Sequence, residues 1–342
     1  MLSSLPRFFG ALALCLALST TVRAQDSPNL YTTGSSTGAP TTWGGLDYNG
    51  MPWVRNISSP YHLKSGLAGR HLFVWPSHGR YFDGERWKWQ RPIMFCTTED
   101  LLSQSIVFPY LIPMLENAGA VVYTPRERDA QTEEAVVDND HPTSEGQYVE
   151  RDATGKAWRT ADIPGFGLPH RQLTDNDQPF RNGTSRCIPT SRRNEPRAEA
   201  SWTPNLAKRG RYAVYVSYTS LPDAVDDAHY TVYHAGGRTE FHVNQRMGGG
   251  TWLYLGTFLF EAGENEHARV VLDNASTHKG SISADAVRFG GGMGLTARSM
   301  PQITVSPDSI YTYAYPKVGH TSGLPRRLEG ARYYAQWAGL PD

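Results

Sequence analysis

Short runs in which apolar and polar residues alternate fill residues 198–289, and this period of two limits the fold more than any other pattern in the chain. A strand places successive side chains on opposite faces, so each run predicts a strand with one buried face. Gly, Asn and Asp separate the runs, as they do in tight turns, and such spacing predicts an antiparallel β-sandwich. The predicted strands are 200–202, 210–218, 229–234, 239–243, 251–258, 268–272 and 282–289.

A different pattern precedes these strands. Residues 69–75 predict a short buried strand, and residues 121–124 predict a second one. Between them, Thr98 is a helix cap followed by acidic residues and by apolar residues at helical spacing. Strand, helix and strand in this order predict a parallel pair with the helix crossing over it. Pro109 and Pro113 are expected to bend or break that helix.

The start of the chain predicts export. Arg7 precedes an apolar run at residues 8–17, and residues 22–24 offer a usual cleavage position, so we predict a signal peptide that ends near Ala24. A single membrane anchor is the alternative, but the apolar run is shorter than the roughly 20 residues that a bilayer span needs. We therefore expect a secreted, periplasmic or cell-surface protein with no transmembrane segment after signal cleavage. Residues 25–49 predict a flexible lead-in.

Composition and charge exclude several partners. The 342 residues include 33 Lys and Arg and 33 Asp and Glu, for a formal net charge of +0. No global field would therefore draw this protein to nucleic acid or to anionic lipid. A hydrophobic content of 39 % supports a globular chain, and the length suits two domains.

The cysteines leave two alternatives. Cys15 is expected to leave with the signal peptide. Cys96 and Cys187 could form a disulfide in an oxidising compartment, or they could be two separate buried thiols, because their spacing matches no metal or redox motif.

Other polar and aromatic groups also allow two interpretations. Residues 131–197 lose all periodicity and predict a long loop. Residues 138–140 (Asp-Asn-Asp) and 226–227 (Asp-Asp) could bind calcium, although such residues are common in turns. Several aromatic residues of the predicted strands suit either the core or a sugar-binding platform, with the core favoured. They are Tyr215, Tyr218, Tyr230, Tyr233, Trp252 and Tyr254.

One pair of residues predicts a metal site. His78 follows the first predicted strand, and Glu99 opens the following helix, so both lie at one edge of the predicted parallel pair. Imidazole and carboxylate are suitable zinc ligands, and a catalytic zinc ion usually takes three protein ligands and one water. The alternative is a hydrogen-bonded loop for His78 and a helix-dipole partner for Glu99.

Residues 72–129 resemble the catalytic domain of the zinc-dependent N-acetylmuramoyl-L-alanine amidases. The turn 77–79 (Ser-His-Gly) looks like their Gly-His-Gly turn, and 98–100 (Thr-Glu-Asp) looks like their Glu-Lys-Asp helix start. The passage 115–129 looks like their second helix-to-strand passage. The resemblance implies that His78 and Glu99 bind Zn²⁺ and that the protein cleaves the N-acetylmuramoyl-L-alanine bond of peptidoglycan.

The chain departs from this family at several places, one of which is a longer, Trp-rich segment between His78 and Glu99. Ser77 replaces the first Gly of the turn. The second zinc His of the family and its catalytic Glu have no counterpart before Asp342, and the surroundings of His320 do not match. The catalytic residues therefore stay unknown, and the chain looks truncated.

Residues 195–294 resemble the carbohydrate-binding-like module of golvesin and of some xanthan lyases. The motifs that carry this resemblance are 212–216 (Tyr-Ala-Val-Tyr-Val), 228–234 (Ala-His-Tyr-Thr-Val-Tyr-His), 248–252 (Gly-Gly-Gly-Thr-Trp) and 284–290 (Ala-Asp-Ala-Val-Arg-Phe-Gly). Binding of a glycan, either peptidoglycan or another polysaccharide, is implied by the resemblance.

Together these features predict an incomplete α/β amidase-like domain with an inserted antiparallel β-sandwich. The leading hypothesis is a secreted zinc-dependent peptidoglycan hydrolase, inactive if the missing residues are required. The alternative is a non-catalytic polysaccharide-binding or cell-wall-binding surface protein, and the third is an accessory protein like that of xanthan lyases. The predicted segments are the signal peptide 1–24, the lead-in 25–49, the first amidase-like part with its long loop 50–194, the sandwich 195–294 and the return segment 295–342.

Overall fold

The computed structural model describes most of the chain between residues 51 and 292. The described residues are 42–43, 46–47, 51–60, 62–76, 80–82, 87–94, 97–124, 128, 131–140, 145–167, 178–192 and 194–292. The predicted signal peptide, the predicted return segment, His78, Cys96 and His320 lie outside them. Most of the described residues belong to antiparallel β-sheets, as the alternating pattern predicts.

A six-stranded antiparallel sheet forms one layer of the sandwich. Its strand Glu199–Pro204 shows the period of two directly, because Ala200, Trp202 and Pro204 are buried while the residues between them are partly exposed. In spatial order the strands are Gly146–Arg151, Glu199–Pro204, Arg269–Asp273, Ala228–His234, Gly237–Val243 and Val54–Asn56.

A four-stranded antiparallel sheet forms the facing layer. Its strands, in order, are Glu134–Val137, Val287–Gly290, Gly210–Val216 and Leu253–Phe260. Apolar side chains of both sheets share one core, in which the largest fully buried residues are Trp202, Tyr212, Tyr218, Tyr230, Phe260, Phe289, Ile188, Met247 and Leu272. The core interpretation of Tyr218 and Tyr230 is thereby confirmed, and Tyr215 and Trp252 are also buried, in a second cluster.

A three-stranded antiparallel sheet continues from the sandwich. Its strands are Arg159–Gly165, Gly183–Pro189 and Ser281–Ala284, with the 3₁₀ turn Pro179–Arg181 beside them. Two residues, Asp285 and Ala286, connect its last strand to the four-stranded sheet. The loop expected at 131–197 is therefore wrong in part, because four strands lie between residues 134 and 189 and all of them pair with other strands of the sheets.

The predicted parallel pair is present. Strands His71–Phe73 and Val121–Tyr123 pair in parallel, and helical segments precede the second strand. These are α1, Glu99–Ile106, the π-helical turn Val107–Leu111 and α2, Ile112–Asn117. The π turn contains Pro109, which has no backbone N–H to donate, so the predicted interruption of the helix is confirmed. The described residues show this one parallel pair and its helices, and the larger α/β amidase-like domain stays a prediction.

Short two-stranded pairs complete the described structure. They are Thr42–Trp43 with Leu46–Asp47, Arg80–Phe82 with Trp87–Trp89, and Ile93–Met94 with Thr97–Thr98. The first pair lies in the stretch that was expected to be a flexible lead-in. Cys187 is a buried free thiol, which fits the interpretation of separate thiols. No helix among the described residues has the length and apolar character needed to cross a bilayer.

Candidate functional site

A cavity of about 390 Å³ lies between the parallel pair and the sandwich. We call it the aromatic cleft, because aromatic side chains form much of its wall: Trp53, Tyr123, Tyr215, Phe241, Trp252 and Tyr254. Its volume is within the range of roughly 300–1,000 Å³ that is usual for small-molecule sites. Polar side chains of Glu116 and Arg128 also line it.

Trp53 is fixed between the two parts of the structure. Its backbone N–H donates to His71 Nε2 at 2.9 Å, and its indole Nε1–H donates to the hydroxyl of Tyr218. The Trp53 ring lies 5.4 Å from the ring of Tyr123. Burial lowers the pKa of His71 to about 4, so its imidazole is neutral at pH 7 and Nε2 can accept this bond. The wall of the cleft at Trp53 is therefore held in one position.

Arg128 is the charged centre of the cleft. Its guanidinium donates two hydrogen bonds to the Glu116 carboxylate, at 2.6 and 2.7 Å, and its Cζ lies 4.1 Å from the centre of the Tyr254 ring. The Arg128 backbone N–H donates to the Tyr215 hydroxyl at 3.1 Å. Burial alone would lower the pKa of Arg128, but the hydrogen bonds to Glu116 help to raise it above its ordinary value. Arg128 is thus a permanent, oriented cation.

A second arginine supports the floor of the cleft. The Cζ of Arg288 lies 4.4 Å from the centre of the Tyr215 ring and 5.5 Å from that of Trp252. Tyr215 and Tyr254 pack together at 5.5 Å between ring centres. Because Arg288 is buried in this stack, it stabilises the aromatic wall and does not reach a ligand.

A wider groove of about 660 Å³ adjoins the aromatic cleft. Both cavities touch Val54, Asn56 and Glu116. Basic residues line the groove as well: Arg55, His62 and Lys64. Glu116 is the acidic residue on its wall, and Arg128 already neutralises it. The described wall of the groove therefore carries more positive than negative charge.

The residues predicted to bind zinc are only partly described. His78 lies outside the described residues. Glu99 is exposed at the first position of α1, and its carboxylate lies 3.6 Å from Arg91 Nε. Within the described part of the chain, three ligand residues do not converge on Glu99. The zinc site at His78 and Glu99 therefore stays a prediction.

A row of charged and polar residues crosses the outer face of the six-stranded sheet. Register places them side by side on all six strands: Arg151, Glu199, Asp273, His229, His242 and Arg55. His229 Nδ1 lies 2.7 Å from Asp273 Oδ2, and Arg197 contacts the same oxygen at 3.1 Å. Burial opposes the charge of Asp273, but these contacts lower the pKa of its carboxyl below the ordinary value. The row joins neighbouring strands of the sheet.

Asp226, Asp227 and His278 place ligand atoms within 4.8 Å of one another. The Asp227 carboxylate accepts hydrogen bonds from the Ser276 hydroxyl and from the backbone N–H and hydroxyl of Thr277. These bonds hold the turn at 276–278 against the sheet. The turn interpretation of residues 226–227 thus explains their contacts, and calcium there stays untested.

Sequence reasoning missed most of the cleft. Arg128 stands in the passage that resembles the amidases, but no pattern singles it out as a cleft residue. Trp53 carries no motif either. A signal existed for Tyr215, Trp252 and Tyr254, which the sequence names as aromatics with a possible sugar-binding role.

The comparisons with known proteins concern the sandwich. Residues 175–291 match the family model of the Golvesin C-terminal domain. A xanthan lyase of Bacillus sp. (strain GL1) is 37 % identical over 89 residues, which are 26 % of this chain and 10 % of the lyase. The chain thus matches about a tenth of the length of this curated relative.

Two solved structures show weaker similarity. A Paenibacillus xanthan lyase is 22 % identical, with a TM-score of 0.35, over 46 % of this chain and 13 % of the lyase. A two-domain protein of unknown function from Bacteroides fragilis is 15 % identical, with a TM-score of 0.19, over 50 % of each chain. Both TM-scores are too low to show a shared fold. The family match and the sequence identity support one conclusion, that residues 175–291 are similar to the Golvesin C-terminal domain.

Proposed function

We propose that this protein binds a polysaccharide without cleaving it and that the aromatic cleft is the binding site. The observation that carries the proposal is the Arg128 guanidinium, which stacks on Tyr254 and is held by Glu116 at the wall of an aromatic cavity. Sugars offer apolar C–H faces to aromatic rings and hydroxyl groups to charged hydrogen-bonding side chains. The cleft combines both kinds of contact.

The similarity of residues 175–291 to the Golvesin C-terminal domain supports this proposal. The curated relative is named a xanthan lyase, so the matching segment occurs in a protein that acts on a polysaccharide. We propose the same class of ligand for this chain, with a binding or accessory role outside the cytoplasm. Two segments outside the matching region, around Trp53 and Arg128, contribute to the cleft, so the full chain is the form to test.

The test measures binding of xanthan and of purified peptidoglycan by affinity electrophoresis and calorimetry. We expect Arg128→Met to weaken binding by about tenfold, because a hydrogen-bonding cation at the wall of the cleft is worth roughly 1.4 kcal/mol. Tyr254→Ala is expected to have a similar effect, because it removes the ring under the guanidinium.

The matched control is Arg269→Met. Arg269 also stacks on a tyrosine, with its Cζ 4.7 Å from the centre of the Tyr233 ring, but this pair lies on the outer face of the six-stranded sheet. Binding should be unchanged in this variant. Equal weakening by Arg128→Met and Arg269→Met would remove the cleft as the site, and a wild-type chain that binds neither polymer would contradict the proposed function.

The second candidate function is the zinc amidase. The observation that favours it is the parallel pairing of His71–Phe73 with Val121–Tyr123 around a helix that begins at Glu99. His78 and Glu99 would then hold Zn²⁺, and the ion would supply an activated water for hydrolysis of the amide bond. Among the described residues, Glu99 is the one proposed zinc ligand.

Zinc content decides this second candidate. The purified chain is analysed by mass spectrometry for zinc, beside His78→Ala and Glu99→Ala variants. An amidase site predicts about one zinc ion per chain, lost in both variants. A folded chain without zinc after incubation with the metal would leave polysaccharide binding as the function.

A further inference from the structure

Several acidic residues lie near the place where the four-stranded sheet joins the three-stranded sheet. Asp138 directly follows the strand Glu134–Val137, and Asp285 lies in the two-residue connection between the sheets. Burial, together with the charges of Asp285 and Asp140, raises the pKa of Asp138 to about 8. Burial also raises the pKa of Asp285 to about 7. We call Asp138, Asn139, Asp140 and Asp285 the buried acidic cluster.

Two oxygen atoms of this cluster are buried without a hydrogen-bond partner. Asp138 is 7 % exposed, and its Oδ1 accepts no hydrogen bond. The Oδ1 of the neighbouring Asn139 is likewise buried and unpartnered. Proteins rarely leave buried oxygens unsatisfied, and an ion or a water molecule is the usual explanation. Two adjacent acceptors of this kind, next to further carboxylates, indicate a ligand that carries positive charge.

The surrounding residues fix these oxygens in place. Asn139 donates its Nδ2–H to Thr184 Oγ1 at 3.0 Å, so its carbonyl oxygen points away from Thr184. Asp140 accepts hydrogen bonds from the backbone N–H and the hydroxyl of Thr184. Asp285 accepts the Phe166 backbone N–H at 2.9 Å and the Ser217 hydroxyl at 2.5 Å. The cluster is therefore ordered by the fold itself.

A glycine allows two oxygen atoms to approach the backbone beside Asp140. A Cβ atom at Gly183 would lie 1.8 Å from the carbonyl oxygen of Phe166 and 2.5 Å from Asp140 Oδ2. These two oxygens therefore both pack closely against Gly183, and any larger residue would collide with them. A backbone carbonyl next to carboxylates and a side-chain amide is a set of hard oxygen donors.

We propose that the buried acidic cluster binds a calcium ion through oxygen atoms of Asp138, Asn139 and Asp140, with Asp285 as the adjacent countercharge. All of the donors are oxygens, and Ca²⁺ accepts six to eight of them in irregular geometry, whereas Mg²⁺ demands a near-ideal octahedron. The group Asp226, Asp227 and His278 differs from this donor set, because it includes an imidazole nitrogen.

The experiment adds CaCl₂ to the purified chain after removal of metals with EDTA, at pH 7.5 and constant ionic strength. Calorimetry is expected to show about one bound Ca²⁺ per chain, and 1 mM Ca²⁺ should raise the Tm by about 5 °C, because the ion binds only the folded state. Asp138→Asn should abolish both effects. This isosteric variant is expected to fold, because it removes a buried repulsion.

Asp226→Asn is the matched control, since it neutralises one acid of the other group, and it should retain the full response. A folded wild-type chain that binds no Ca²⁺ would overturn the proposal and leave a protonated Asp138 as the explanation of the cluster. A Tm rise that persists in Asp138→Asn, or that is lost only in Asp226→Asn, would also overturn it.

Discussion

Replacement of Trp202 with alanine is expected to lower the free energy of unfolding by about 4 kcal/mol. Trp202 is fully buried between the two layers of the sandwich, and its ring packs 5.4 Å from that of Tyr148. Its indole Nε1–H donates to the backbone carbonyl of Asp285 at 3.0 Å. The substitution thus leaves a large cavity and also removes the hydrogen-bond donor of a buried carbonyl, and both effects destabilise the folded state.

Urea unfolding followed by circular dichroism measures this change. The matched control is Trp75→Ala, because Trp75 is 43 % exposed and its ring meets that of Phe73 edge-on at 6.4 Å between ring centres. We expect less than about 1 kcal/mol for the control. If both variants lost the same small amount, Trp202 would not be a central core residue, and the sandwich would not be packed as described.

The strands of the sandwich follow from the sequence because their side chains alternate. In Glu199–Pro204, residues at every second position face the shared core, so a period of two is visible without any structure. The parallel pair and the interrupted helix follow as well, since Pro109 and Pro113 act locally on the backbone. The residues within each of these elements therefore determine its structure.

The strands between residues 134 and 189 could not be predicted in the same way. Gly146–Arg151 is a strand at the edge of its sheet and carries Gln147, Val149 and Arg151 on its exposed face, a mixed pattern that occurs in edge strands but also in loops. In Arg159–Gly165 the register shifts between Thr160 and Pro164, so the alternation is broken. Their pairing with distant strands decides their structure, and a single sequence does not reveal that pairing.

The candidate sites depend even more on distant contacts. The aromatic cleft joins Trp53, Arg128 and Tyr254, which are far apart in the chain and share no motif. The Asp-Asn-Asp stretch at 138–140 is visible as a cation-binding pattern, but its proximity to Asp285 is not. Sequence could therefore name parts of each site, while the fold brings the parts together.

The buried acidic cluster makes stability depend on pH in the absence of calcium. Burial raises the pKa of Asp138 to about 8 and that of Asp285 to about 7, so the folded chain binds protons more tightly than the unfolded chain does. The stability that these protons contribute is fully present below the ordinary pKa of 3.8 for an aspartate. It is lost as the pH rises from about 4 to about 8.

Other groups determine how the stability of the folded chain changes at acidic pH. Burial lowers the pKa of His71 to about 4, and hydrogen bonds to Ser276 and Thr277 outweigh burial and lower the pKa of Asp227. Both effects reduce stability as the pH falls, because the folded state disfavours a charged His71 and a protonated Asp227. Comparison of a variant with the wild type at each pH separates the contribution of the buried acidic cluster to stability from the contributions of His71 and Asp227.

Asp138→Asn is the variant to compare, since its amide resembles a protonated carboxyl group and does not ionise. We expect it to be more stable than the wild type in EDTA, with an advantage about 3 kcal/mol greater at pH 9 than at pH 5. Urea unfolding across this pH range measures the difference. Asp226→Asn should show no such rise. If the stability advantage of the variant were constant between pH 5 and pH 9, Asp138 would already be ionised in the folded state at pH 5. Another group would then stabilise its buried negative charge.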